Sequence, residues 1–324
     1  MSRRFSGASW SGVSFRCPGA NGIDSLVMEH LTMFLARLEE FVGHFFTDWF
    51  AVIQIVGLMT LIGFALEQIK PVGQRVPISA MLFNLAYVAI SFAVLVTLVP
   101  WLQVFTNPIV QRWGGCLHMR FPDGLLGSIL SVAVFLLIYD FFYYWWHRAQ
   151  HATSWLWAVH ELHHTERHLN VTTSARHHWL EESFRLFAVL LPMGLLFRLD
   201  GPSIGAVFTV AMFFGYFIHL NLRLELGVFT GLVGGPQYHR LHHSIENQHH
   251  NRNFAALFPI WDRVFHTQRL PLPSEWPETG LVEYPVGNSW KHALFGPFIA
   301  WASTLRLHLR SNGKHRAQVS ARPE

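Results

Sequence analysis

Three stretches of about twenty residues are almost free of charge, and they restrict what the chain can fold into more than any other feature. Trp49–Leu66 and Pro77–Val99 carry no Asp, Glu, Lys or Arg, and Leu125–Trp146 carries only Asp140. A helix of about 20 apolar residues crosses the roughly 30 Å hydrocarbon core of a bilayer. Inside that core every backbone N–H and C=O must be satisfied within the segment, which favours helices. The shorter runs Phe184–Phe197 and Ile204–Leu220 flank Arg198-Leu199-Asp200-Gly201-Pro202. They read as a helical hairpin that enters the membrane and returns. Charged residues make up 14% of the chain, against about a quarter in soluble domains. The fold class expected is therefore an all-α integral membrane protein with three transmembrane helices plus the hairpin.

The remaining segments divide the chain into four parts. Residues 1–47 form an N-terminal extension and an interfacial helix. The first 27 are polar and read as disordered, or as an extension upstream of a start at Met28. Ser2-Arg3-Arg4 lacks the apolar run that an export signal needs. Residues 48–124 hold the first two spans, 125–270 the third span, the hairpin and a histidine-rich region, and 271–324 an amphipathic segment with a basic tail. A hairpin makes an even number of crossings, so His147–His164 and His239–His243 belong on one face. Lys and Arg concentrate in the segments expected there, and the positive-inside rule makes that face cytoplasmic. The net charge of +4 favours anionic lipid headgroups. No basic helix or aromatic-basic module suggests nucleic acid. Cys17 and Cys116 cannot build a disulfide framework or a four-thiolate site.

Histidine is the residue that needs explaining: 15 of the 21 lie between His147 and His266. They form His147-Arg-Ala-Gln-His151, His160-Glu-Leu-His163-His164 and His239-Arg-Leu-His242-His243. Residues three or four apart share one helix face, so each cluster can aim two or more imidazoles at one point. Eight converging imidazoles exceed the needs of one metal, and two ions are the natural reading. Scattered surface histidines would not repeat the spacing, and a storage tract would be contiguous. All-nitrogen ligation suits Fe, Zn, Cu or Ni, and spacing does not choose. His160-Glu161-x-x-His164 also matches the H-E-x-x-H of zinc proteases, with Glu161 as base; an intramembrane zinc metalloprotease is the alternative reading. Glu161-x-x-His164 and Glu246-x-x-His249 match the E-x-x-H of carboxylate-bridged di-iron bundles. Each leaves most of the histidines unused.

From Asp140 to Thr267 the sequence resembles the fatty acid hydroxylase / sterol desaturase superfamily of integral-membrane, histidine-cluster di-iron oxygenases. The segments carrying the resemblance are DFFYYWWHRAQH, LWAVHELHHTERHLNVTTSARHH, HLNLRL and PQYHRLHHSIENQHHNRNFAALFPIWDRVFHT. The resemblance implies His147, His151, His160, His163, His164, His239, His242 and His243 as ligands of two Fe ions in a cytoplasmic helical cap. It adds His178, for which His177 could substitute, and His219. Two departures stand out: Ala255 in Asn253-Phe254-Ala255 and His266 in Phe265-His266-Thr267 occupy positions where the family commonly has glycine. Asp140, costly inside a span, is expected to hold a ligand imidazole from behind, or else to pair with an arginine near the membrane surface. Asp262 and Arg263 are expected to tie the C-terminal segment to the clusters, and His168, His249, His250 and His266 to be ordinary polar residues. The activity implied is O2-dependent hydroxylation or desaturation of a lipid C–H bond. Without a G-x-G-x-x-G fingerprint or a cytochrome-like domain, the electron donor is expected to be an external ferredoxin or cytochrome with its reductase.

Overall fold

A computed structural model describes residues 23–73, 75–117, 119–197, 201–282 and 289–320. The expectations for residues 1–22 and for the turn at 198–200 therefore lie outside the described residues. The chain divides into two compact units between Thr47 and Asp48. Of the first, the described part is the beginning of α1 (Ile23–Glu67). The second contains everything that follows, and among the described residues it is helical with only isolated β-bridges.

Helices α1, α2 (Ile78–Trp113) and α3 (Leu125–Ala152) contain the three stretches long and apolar enough to cross a membrane, over Gly43–Glu67, Ile78–Trp113 and Leu125–Ala152. Their outward side chains are apolar and bare: Leu61 is 69% exposed, Phe105 70% and Leu125 78%. A water-soluble protein rarely shows so much continuous apolar surface. The expected hairpin is built from α5 (Trp179–Arg185), a π-helical turn Leu186–Leu190, α6 (Leu191–Leu196) and α7 (Gly201–Ile218). Pro192 explains the π turn: it has no N–H for the α-helical ladder, so the helix widens just before it.

The two ends of the bundle are held differently. At one end Cys116 and Leu117 donate backbone N–H groups to Leu195 O and Leu196 O, joining the α2–α3 link to the end of α6. At the other, Glu67 accepts from the N–H groups of Val171 (2.7 Å) and Asn221 (2.9 Å). Arg223 N–H donates to Lys70 O, so the α1–α2 link also lies there. Gly63 lets α1 approach the 3₁₀ turn Val171–Ala175, because a Cβ would fall 2.2 Å from Val171 Cγ2.

Lipid gives little hydrophobic drive between helices, so packing and polar contacts must fix this end. Arg176, 1% exposed, binds Asn84 Oδ1 (2.7 Å), Glu166 Oε2 (3.2 Å), Thr165 Oγ1 (2.9 Å) and Leu162 O (3.2 Å). Removing one partner of such a buried pair costs about 3–5 kcal/mol.

Candidate metal centre

The histidines come from four places. His147 and His151 lie on the last turns of α3, and His160, His163 and His164 on α4 (Ser154–His164). His219 follows α7 directly, and His239, His242 and His243 lie on and just after α8 (Pro236–His242). Short helices ending in His-x-x-His-His place two rings on one face and the third around the side. The imidazoles consequently fall into two groups. Group one is His147, His151, His160, His164 and His242; group two is His163, His219, His239 and His243. Within each group the potential ligand atoms all lie within 4.8 Å of one another.

Hydrogen bonding fixes which nitrogen faces inward. His147 Nδ1 lies 2.7 Å from Phe254 O, His242 Nδ1 2.8 Å from Arg252 O and His219 Nδ1 2.6 Å from Gly215 O. A carbonyl only accepts, so each Nδ1 carries the proton and each Nε2 keeps a lone pair. His160 Nδ1 donates likewise to Glu181 Oε1 at 2.9 Å. Yet His147 Nε2 stands 3.0 Å from His160 Nε2, an acceptor against an acceptor. The pairs His160–His164, His164–His242, His163–His219, His219–His239 and His239–His243 repeat this Nε2–Nε2 approach at 3.0–3.2 Å. Two nitrogens about 2.1 Å from one metal ion, at right angles, are about 3.0 Å apart. The donor set fits a cation at the middle of each group.

Burial keeps the rings in the neutral, metal-binding form. Burial first, then neighbouring imidazoles, holds His163, His164, His239 and His243 well below the usual histidine range. His219 and His242 are pushed down to about 3, chiefly by burial. Glu181 behaves in the opposite sense. Burial would raise it, but His177 and His160 hold its carboxyl well below the usual range, and Glu181 in return raises His177 against the effect of burial.

Nine of the ten histidines expected at the site are brought together; His178 is not. Its Nδ1 caps α5 by accepting from Leu180 N–H at 3.2 Å, and its Nε2 lies 3.2 Å from Leu294 O. His177 occupies the inner position. It stacks on His163 with ring centroids 4.0 Å apart, and its Nδ1 is 3.0 Å from Glu181 Oε1. Glu181 escaped the sequence reading, although it stands four residues after His177 and so shares a face with it once α5 begins.

Asp140 also differs from expectation, since it contacts neither an imidazole nor an arginine. Its carboxylate accepts three backbone N–H groups, from Ala256 (3.0 Å), Leu257 (3.0 Å) and Phe258 (2.8 Å). It fixes the loop whose Phe254 carbonyl orients His147. Asp262 fastens the same loop from the other side through Phe254 N–H, Ala255 N–H, Tyr238 Oη and Thr267 Oγ1; Arg263 is exposed. Ala255 replaces glycine without strain, while His266 takes a left-handed φ of 60°. Of the histidines set aside, His249 is buried between Ser244 and Glu275.

The two rival motifs do not meet here. Glu161 belongs to neither group, and its carboxylate lies 3.8 Å from His292 Nε2. Glu246 lies outside both groups as well. A cavity of about 370 Å3 reaches His151, His164 and His242 between Trp157, His250 and Asn251.

The fatty acid hydroxylase family model matches residues 132–267, which contain both groups. An alkylglycerol monooxygenase of Danio rerio is 33% identical over 129 residues, 40% of this chain and 28% of that protein. An ornithine lipid hydroxylase of Rhizobium tropici is 30% identical over 51% of this chain and 50% of its own length. A methylsterol monooxygenase of Arabidopsis thaliana is 28% identical over 52% and 57%. The chain thus covers less than two thirds of the length of these relatives, and no solved structure matches it. The shared region holds the histidine clusters, most of the third span and the loop that orients them, and over this region the chain resembles the fatty acid hydroxylase / sterol desaturase superfamily.

Proposed function

We propose that this protein is a di-iron, O2-dependent oxygenase that hydroxylates a C–H bond of a membrane lipid. The observation that carries the reading is the pair of histidine groups whose Nε2 atoms converge at 3.0–3.2 Å, with lone pairs directly opposed between His147 and His160, an arrangement that suits a cation in each. Relatives named as monooxygenases and hydroxylases of lipids favour hydroxylation over desaturation, and over peptide hydrolysis. Bound iron would supply the activation of O2 needed to oxidise an unactivated carbon. The chain supplies the rest. Carbonyls of Phe254, Arg252 and Gly215 and the carboxylate of Glu181 hold four imidazoles in one tautomer and one orientation. Such outer partners raise ligand basicity and fix ring direction. Glu181 Oε1 accepts from His160 Nδ1 and lies 3.0 Å from His177 Nδ1, so one carboxylate serves both rings.

The metal centre lies at the ends of spans, so a substrate reaches it from the bilayer and electrons reach it from the aqueous side. That side is read as cytoplasmic from the Lys and Arg distribution, with a ferredoxin or cytochrome as donor. Purified, iron-supplied protein is expected to hold two irons per chain, and cells expressing it to accumulate a hydroxylated lipid. A single stoichiometric zinc with unchanged lipids would refute the reading. Cysteine labelling at Gly235 from the cytoplasmic side tests the orientation.

A further inference from the structure

A second cavity, of about 670 Å3, lies at the metal-bearing end and is lined by none of the grouped histidines. That volume is within the roughly 300–1,000 Å3 typical of small-molecule sites. At its base is Arg240, which is 8% exposed. The guanidinium donates Nε–H to Pro277 O at 2.8 Å and reaches Asn221 Oδ1 with Nη1 at 3.4 Å. Both partners are neutral, and among the described residues no carboxylate makes an ion pair with it. Arg223 is close enough to repel its charge. Arg176, also buried, has Glu166; among the described residues Arg240 has no such carboxylate. A buried cation with neutral partners only is unfavourable unless an anion joins it.

The walls indicate what kind of anion. Val72, Val76, Leu169, Ile245 and Leu281 give them an apolar face, and among the described residues Glu278, exposed at the rim, is the one acid lining the space. Val72 and Val76 belong to the link between two spans, so the cavity sits where the bilayer's headgroups lie. We propose that it is an oxyanion site for the headgroup of an anionic amphiphile, bound by the Arg240 guanidinium with the alkyl chain along the apolar walls. Arginine's planar fork suits phosphate and carboxylate oxygens. The site is separate from the oxidation chemistry.

Binding of n-dodecyl phosphate to the metal-loaded full-length protein, in uncharged detergent, tests this by calorimetry. Saturable binding is expected, weakened at least about tenfold in Arg240→Gln, with metal content unchanged. Val282→Glu, at a rim position 74% exposed, should weaken it several-fold by repulsion without touching the fold. Inorganic phosphate that binds as tightly as the dodecyl ester would make a free anion the source, and a requirement for the alkyl chain would make it a lipid; either supports the oxyanion site. No saturable binding to the wild type overturns the proposal, as does unchanged affinity in Arg240→Gln. Should Arg240→Gln fail to fold, unchanged affinity in Val282→Glu overturns it alone.

Discussion

The two histidine groups are built from the same kinds of helix end but are supported differently. In group one, His147, His160 and His242 are each held from outside, by Phe254 O, Glu181 and Arg252 O. In group two only His219 is held in that way, by the Gly215 carbonyl of the preceding helix α7, and the Nδ1 atoms of His163, His239 and His243 are buried without a protein partner. Preorganised ligands spend less free energy on ordering when a metal binds. Group one should therefore be the tighter site at equilibrium, and group two should owe its shape to the helix ends that carry it.

The largest test is to remove a ligand from one group at a time. His242→Ala should abolish lipid oxidation, a loss beyond the 10–100-fold typical of outer partners, and should cost group one its ion while group two keeps its own. Elemental analysis showing both ions retained would break the division into two groups. Glu181→Gln sharpens it, since Glu181 supports His160 directly and touches group two only through the stacking of His177 on His163. A 10–100-fold loss of metal affinity confined to group one is expected in competition titrations, and an equal loss at both groups would contradict the comparison.

Acid should act on the metal-free protein in both groups alike. His219 and His242 stand at about 3 when folded, against about 6.5 unfolded. The unfolded chain therefore binds more protons between those values. Stability is complete above about 6.5 and falls as the pH drops through that window, by at most about 1.4 kcal/mol per histidine per pH unit. Thermal melts of metal-free protein at pH 7 and pH 5 measure this, and equal melting temperatures would mean that the rings are not held neutral. The smallest effect concerns the scaffold of group one. His266 sits at φ 60° and accepts from Arg252 Nη1 through its carbonyl. His266→Gly should remove a left-handed cost of about 1–2 kcal/mol against about 0.4–1 kcal/mol of added chain entropy, a small net gain visible as a raised melting temperature with metal binding unaltered.

Much of this architecture could be read from the sequence because its signals are periodic. Apolar runs of bilayer length announce the spans, and His-x-x-His-His announces rings on one helix face. What could not be read depends on loops. Whether His177 or His178 faces inward is decided by where α5 begins, and the capping bond from Leu180 N–H to His178 settles it. Asp140 was legible as a residue with a task, but its partners are amides 116 to 118 positions away, which no local pattern reports. Glu181 was hidden for the same reason: the spacing of four from His177 has meaning only once the turn before α5 is known.

The cavity that reaches His151, His164 and His242 has one more consequence. The better-anchored group is the one with an opening, whereas the four rings of group two are each no more than 4% exposed. Affinity and exchange rate should then run in opposite orders. An ion in group one would be bound tightly but swap readily with the medium, and one in group two, though bound less tightly, would be trapped and would leave only when the helix ends part.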